Sequence, residues 1–208
     1  MPARFWSDDL SDEQRAVARH TSSHARLLAG PGTGKTHTLA RKVVYLVTEQ
    51  SVQPSEILVL TFTRMATRDS RTKISEQLRS HSDEMPHIST LHAFALRQLR
   101  RNANLVTTLP KPFRIADDWE EEHIIREDLK ATLGCSAADV SQNFKKLSAD
   151  WESLAADDAE WQPNAPFVGA WDQHRNIFGY ILRSELVYQL KQALAQNLAF
   201  TLERVMEI

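Results

Sequence analysis

The stretch Ala29-Gly30-Pro31-Gly32-Thr33-Gly34-Lys35-Thr36 places three glycines and a proline within five residues and follows them with a lysine and a threonine. Glycines let the backbone curl until successive N–H groups point inward, and a helix beginning at Lys35 would add the positive end of its dipole. Such a loop cradles phosphate. In this pattern Lys35 reaches the terminal phosphates as a point charge and the Thr36 hydroxyl ligates Mg²⁺. Lys35 and Thr36 are therefore the catalytic candidates and Thr36 the metal ligand. Gly30 to Thr36, with Ala29 where the strict pattern has glycine, forms the expected cofactor site for ATP with Mg²⁺.

On either side of the loop, Ala25-Arg26-Leu27-Leu28-Ala29 reads as a short apolar strand, and Leu39, Val43, Leu46 and Val47 recur at helical spacing through Thr36 to Gln50. Ile57 to Phe62 reads as a strand buried on both faces, Arg64 to Ser80 as a polar helix, His87 to Thr90 as a strand, and Leu91 to Arg101 as a helix. Upstream, Ser11 and Gln14 stand at capping-box spacing and predict a helix from there to about His20. Alternating strands and helices imply an α/β fold, with a parallel sheet and helical crossovers.

Beyond Pro110 and Pro112 the strand signal ends. Asp117 with Glu120 predicts a capped helix to about Gly134, and Ala137, Val140, Phe144, Leu147, Trp151 and Leu154 alternate steps of three and four along one helix face. A last amphipathic helix is expected over Ser184 to Gln196.

Charge follows the same division. Residues 1–114 carry 17 Lys+Arg against 10 Asp+Glu, and residues 115–208 carry 8 against 17, so +7 precedes −9 within a net charge of −2. That asymmetry favours a polyanion surface on the first half. The single cysteine, Cys135, excludes a disulfide framework and a cysteine-rich metal site. The absence of a long apolar run and of a signal-peptide core points to a cytoplasmic protein away from membranes.

Four segments taken in order carry a family resemblance: Leu10-Ser11-Asp12-Glu13-Gln14, the loop Ala29 to Thr36, Leu60-Thr61-Phe62-Thr63-Arg64, and Ile88-Ser89-Thr90-Leu91-His92-Ala93-Phe94. The chain resembles the N-terminal part of superfamily I DNA helicases of the UvrD/Rep/PcrA type, these segments matching the Q motif and motifs I, Ia and Ib. The resemblance implies a RecA-like parallel sheet with flanking helices and an inserted all-helical subdomain. Residues 1–114 would be the first part of RecA-like domain 1A, 115–179 a 1B-like subdomain, and 180–208 a return to 1A. It further implies that Gln14 contacts adenine, that the residue at His37, commonly an arginine, stacks on the base, and that Phe62, Thr63, Arg64, Thr90 and His92 hold single-stranded DNA. At Arg64 the family commonly has asparagine. Arg68, Arg71, Lys73, Arg97, Arg100 and Arg101 extend the basic surface or form a solvated charged face.

ATP hydrolysis also needs an acidic pair after an apolar strand. Asp117-Asp118 and Asp157-Asp158 follow no such strand, and in the family the Asp-Glu motif comes shortly after a segment resembling Leu198 to Ile208. The chain thus reads as ending before that motif and lacking the second RecA-like domain: an ATP-dependent helicase by family, expected to be inactive in hydrolysis and unwinding by itself. The 3′ to 5′ polarity is likewise carried only by resemblance. A small P-loop kinase, or an interaction module built on Trp119, Trp151, Trp161 and Trp171, remain the alternatives at this point.

Overall fold

A computed structural model describes residues 6–21, 23–30, 32–79 and 81–196. Pro31 and the stretch from Leu198 to Ile208 lie outside these. The described residues divide into two compact units at Phe94 and Ala95.

The first unit opens with helix α1 (Asp12–Arg19), whose capping box forms as the sequence predicts. The Gln14 N–H donates to the Ser11 hydroxyl at 3.3 Å, and the Ser11 N–H donates to the Gln14 side-chain oxygen at 3.0 Å. Helix α2 (Lys35–Thr48) buries Ala40, Val43, Val44 and Leu46. Strand β1 (Leu58–Thr61), helix α3 (Arg64–Leu78) and strand β2 (His87–Thr90) form a strand–helix–strand crossover. The strands pair in parallel, with Leu58 opposite His87 and Thr61 opposite Thr90. Val59 and Ile88 from the strands meet Val43 and Val44 of α2 and Ile74 and Leu78 of α3 in one core.

Two expectations are corrected. Residues 23–30 contain no strand, and Leu27 and Leu28 are exposed. A strand requires a partner for its backbone hydrogen bonds, and β1 pairs only with β2 among the described residues. Nor is β1 buried on both faces: Val59 is buried, whereas Leu58 and Leu60 line an open hollow of about 450 Å³ with Leu39 and Leu46.

The boundary between units falls within helix α4 (Leu91–Arg101). In the second unit, β3 (Arg114–Ile115) pairs in parallel with β4 (Tyr180–Ile181). No strand occurs between them. Helix α5 (Asp118–Glu120) continues through a π-helical turn, Glu121–Ile125, into α6 (Arg126–Leu133), followed by α7 (Ala137–Glu152) and α8 (Ala165–Phe178). The predicted stripe on α7 packs as expected at Val140, Phe144, Leu147 and Trp151, against Phe167 and Trp171 of α8. Ala137, exposed in the first turn, and Leu154 do not belong to it. The helix ends at Glu152, and Leu154, at φ +61°, is exposed. Asp117 caps α5, with the Glu120 N–H donating to its carboxylate at 2.8 Å.

Helix α9 (Leu186–Gln196) follows a buried ion pair, Arg175 Nη1 to Glu185 Oε2 at 2.9 Å. The Leu182 N–H and the Gln189 amide also donate to Glu185, and Arg175 donates to the Thr108 carbonyl and lies 4.6 Å from the centre of the Trp171 ring. A buried charge needs such partners, because desolvation without them costs several kcal/mol, roughly.

Candidate nucleotide and nucleic-acid site

Gly32 and Gly34 take left-handed conformations, φ +74° and +82°. These angles turn the loop into the first turn of α2, where the Gly34 carbonyl accepts from the Thr38 N–H at 2.9 Å. Gly34 caps α2 without any side-chain hydrogen bond, and the first turn carries no acidic residue. The leading N–H groups of α2 are therefore left to an anion, at the positive end of the helix dipole.

The loop is tied internally and to α1. Thr33 Oγ1 donates to the Gly30 carbonyl at 2.8 Å, and Gln14 Nε2 donates to the Thr33 carbonyl at 3.1 Å. Lys35 Nζ donates to the carbonyls of Ala29 at 3.0 Å and Gly30 at 2.5 Å. The lysine charge thus rests on loop carbonyls, from which a phosphate oxygen can draw it by a stronger, charge-assisted bond. Gln14, Ala29, Thr33 and Lys35 border a cavity of about 220 Å³ with Val17 and Leu27. Thr36 and His37 are half-buried in the first turn of α2. Partial burial lowers the His37 pKa, followed by the neighbouring Arg41 charge, with Asp9 opposing. The imidazole is consequently neutral at pH 7, the form in which a ring can stack beside a cation without repelling it.

At the other residues singled out by the sequence, the register decides the geometry. Because Thr61 faces Thr90 in a parallel pair, Phe62, Thr63 and Arg64 leave the same end of the sheet as Thr90 and His92. Thr63 caps α3, its hydroxyl accepting from the Ala66 N–H at 3.0 Å, and Thr90 accepts likewise from Ala93 at 3.2 Å. Phe62 is 85% exposed, so it is no core aromatic. Beside it Met65 is 75% exposed, a residue that sequence reasoning missed because its position on the open side of α3 depends on how that helix docks.

The acidic doublets have structural employment. Asp117 caps α5, and Asp157 binds Tyr188, Lys191 and Gln192 of α9. Another doublet, Asp83-Glu84, precedes β2 instead of following a strand. No carboxylate stands in the residues that immediately follow β1 or β2, but, against the expectation from sequence, Asp117-Asp118 comes one residue after a strand, β3, with Asp117 engaged in the α5 cap. The tryptophans divide: Trp151 and Trp171 are core, Trp161 is half-buried and donates to Asp150 at 2.9 Å, and Trp119 is exposed and stacks on His123.

The loop and the strand-end cluster occur here in the order of the motifs quoted above, and residues 10–202 match the family described as UvrD/REP helicase N-terminal domain. The chain belongs to the UvrD/REP helicase family. Membership implies a RecA-like fold, within which the described residues show small parallel sheets and flanking helices. Among relatives, the ATP-dependent DNA helicase UvrD1 of Mycobacterium leprae is 31% identical over 156 residues, covering 72% of this chain and 20% of that protein. A probable DNA helicase II homolog of Mycoplasma capricolum is 33% identical over 139 residues, 67% of this chain and 18% of the relative. The ATP-dependent DNA helicase PcrA of Staphylococcus epidermidis is 31% identical over 123 residues, 59% of this chain and 17% of the relative. The chain thus spans about a fifth of the length of these UvrD/REP relatives. Among the described residues no helix is long and apolar enough to cross a membrane.

Proposed function

We propose that this chain is the ATP- and single-stranded-DNA-binding N-terminal part of a cytoplasmic ATP-dependent DNA helicase, whose whole form translocates 3′ to 5′ and separates strands. One observation carries the reading: an uncapped helix start behind a glycine loop bearing Lys35 lies in the same unit as a strand-end cluster that exposes Phe62 beside Thr63, Arg64, Thr90 and His92. The first arrangement suits phosphates. The second offers a ring for a base and hydroxyl and guanidinium groups for a backbone.

Within this reading Gln14, Ala29 to Thr36 and His37 hold the nucleotide, Thr36 holds Mg²⁺, and Lys35 and Thr36 position the phosphates. The fit rests on the free N–H groups at the start of α2 and on a lysine already held at the loop by carbonyls. Bound Mg²⁺ would neutralise developing phosphate charge. On the family pattern residues 1–114 are the first part of a RecA-like domain, 115–179 a 1B-like helical insertion and 180–208 the return, whereas the compact units divide earlier, at Phe94 and Ala95. The parallel pairing of Arg114–Ile115 with Tyr180–Ile181, which brackets the helical stretch, supports the family division.

Turnover of ATP by residues 1–208 is expected to be small, since no carboxylate stands in the residues immediately after β1 or β2 to orient water, and Asp117, which follows β3, is engaged as the cap of α5. Calorimetric titration of ATP with Mg²⁺ into wild type and Lys35→Ala, with and without single-stranded DNA, tests the binding reading. The expected loss is about 1.5 to 3 kcal/mol, one to two orders of magnitude in affinity. Equal affinity for both proteins would remove the role given to Lys35, and phosphate transfer to an added nucleoside would favour a kinase.

A further inference from the structure

Helix α3 carries arginines at 64, 68, 71 and, at its C-cap, 79. At about 100° per residue these four fall within roughly 80° of one another around the helix axis, in a line about 22 Å long. All four are exposed, and among the described residues none forms an ion pair. Arg71 donates to the Ile88 carbonyl at 3.3 Å, which sets the line along the flank of β2, beside the face that buries Ser70, Ile74 and Leu78. The acidic residues of α3, Asp69 and Glu76, fall outside the line, and Lys73 falls on the opposite side. Like charges three and four residues apart repel and weaken a helix, while a merely solvated face usually interleaves both signs. A one-sign line therefore points to a polyanion.

We propose that this arginine line is a second contact surface for single-stranded nucleic acid, taking the phosphates of the strand after it leaves Phe62 and the strand ends. The proposal rests on the strand-end reading above and extends it. Arg64 belongs to both surfaces, and the exposed Phe62 and Met65 lie at the same end of α3, so the track is continuous. A single row of guanidinium groups matches one phosphate backbone, and its length corresponds to about three to six further nucleotides. Guanidinium groups suit phosphate because they offer several donors in a fixed plane.

The test compares oligothymidylates of about five and about fifteen nucleotides by fluorescence anisotropy over a series of salt concentrations. The proteins are the full 208-residue chain, Arg68→Gln/Arg79→Gln, Phe62→Ala and Lys73→Gln. The double variant should bind the short oligonucleotide as wild type does and the long one about tenfold more weakly. Its salt slope on the long one should fall by about 1.4, at roughly 0.7 per lost phosphate contact on single strands. Lys73→Gln should keep the wild-type slope. Phe62→Ala should weaken both lengths. An unchanged affinity and slope of the double variant on the long oligonucleotide, with Phe62→Ala still weakened, would overturn the arginine line and leave the strand-end track standing. If no variant changes binding at either length, the strand-end track falls and the line with it.

Discussion

Gln14 Nε2 donates to the carbonyl of Thr33 at 3.1 Å while its Oε1 accepts from the N–H of Ser11 at 3.0 Å. One side chain therefore closes the cap of α1 and fixes the phosphate loop, so the position of the loop is set partly by a residue 19 places upstream. Replacing Gln14 by Ala removes both bonds. At about 0.5 to 1.5 kcal/mol for each neutral bond, nucleotide affinity should fall by several-fold. Ser11→Ala removes the cap alone and should lower stability by about 0.5 to 2 kcal/mol with a smaller effect on binding. Equal binding losses in the two variants, by calorimetry, would show that Gln14 acts only through the helix.

Gly34 stands at φ +82°, and a Cβ there would sit 3.0 Å from Gln14 Nε2. Gly34→Ala should therefore lose stability through left-handed strain of roughly 1 to 2 kcal/mol and also displace the Gln14 amide. Nucleotide should consequently protect the variant less in a thermal melt than it protects wild type.

Phe62 contributes little packing at 85% exposure, so Phe62→Ala should melt within error of wild type. Its affinity for single-stranded DNA should fall by about 1 to 3 kcal/mol if a base stacks there. A lowered melting temperature with unchanged DNA affinity would return Phe62 to a structural role.

Glu185→Ala should be among the most damaging changes in the second unit. It leaves the buried Arg175 guanidinium with only the half-exposed carboxylate of Asp172, 2.8 Å from its Nε, and the Leu182 N–H without its acceptor. Breaking one side of a buried pair costs about 3 to 5 kcal/mol, measurable by urea unfolding. The double change Glu185→Leu/Arg175→Met should recover part of that loss, because no unpaired buried charge remains and Asp172, which loses its partner, is half exposed.

His37 has its pKa lowered from the ordinary 6.5, chiefly by burial and then by Arg41. In the window between the lowered folded value and 6.5 the unfolded chain binds more protons, so stability rises with pH. The contribution is complete above pH 6.5 and is lost as pH falls through the folded value. His37→Gln should flatten that fall in urea midpoints taken across the acid range. An unaltered profile would exclude His37 as its source.

The sequence alone determined the local features. Ser11 and Gln14 cap α1, Asp117 caps α5, the glycines turn the phosphate loop, and period-3.6 patterning places α2 and α7, because each depends on residues within a turn or two of one another. The parallel pairing of β1 with β2 was likewise implied by the intervening helix. What the sequence could not contain was anything set by the neighbours of an element. Ala25–Ala29 has the apolar run of a strand, yet a strand exists only when another backbone accepts its hydrogen bonds. Leu58 and Leu60 read as buried, but burial depends on what covers the second face. The 64/68/71/79 line was present in the sequence as scattered charge. The docking of Ser70, Ile74 and Leu78 into the core turned it into an exposed, one-sign edge, because only the buried side of a helix decides which of its other sides meets water.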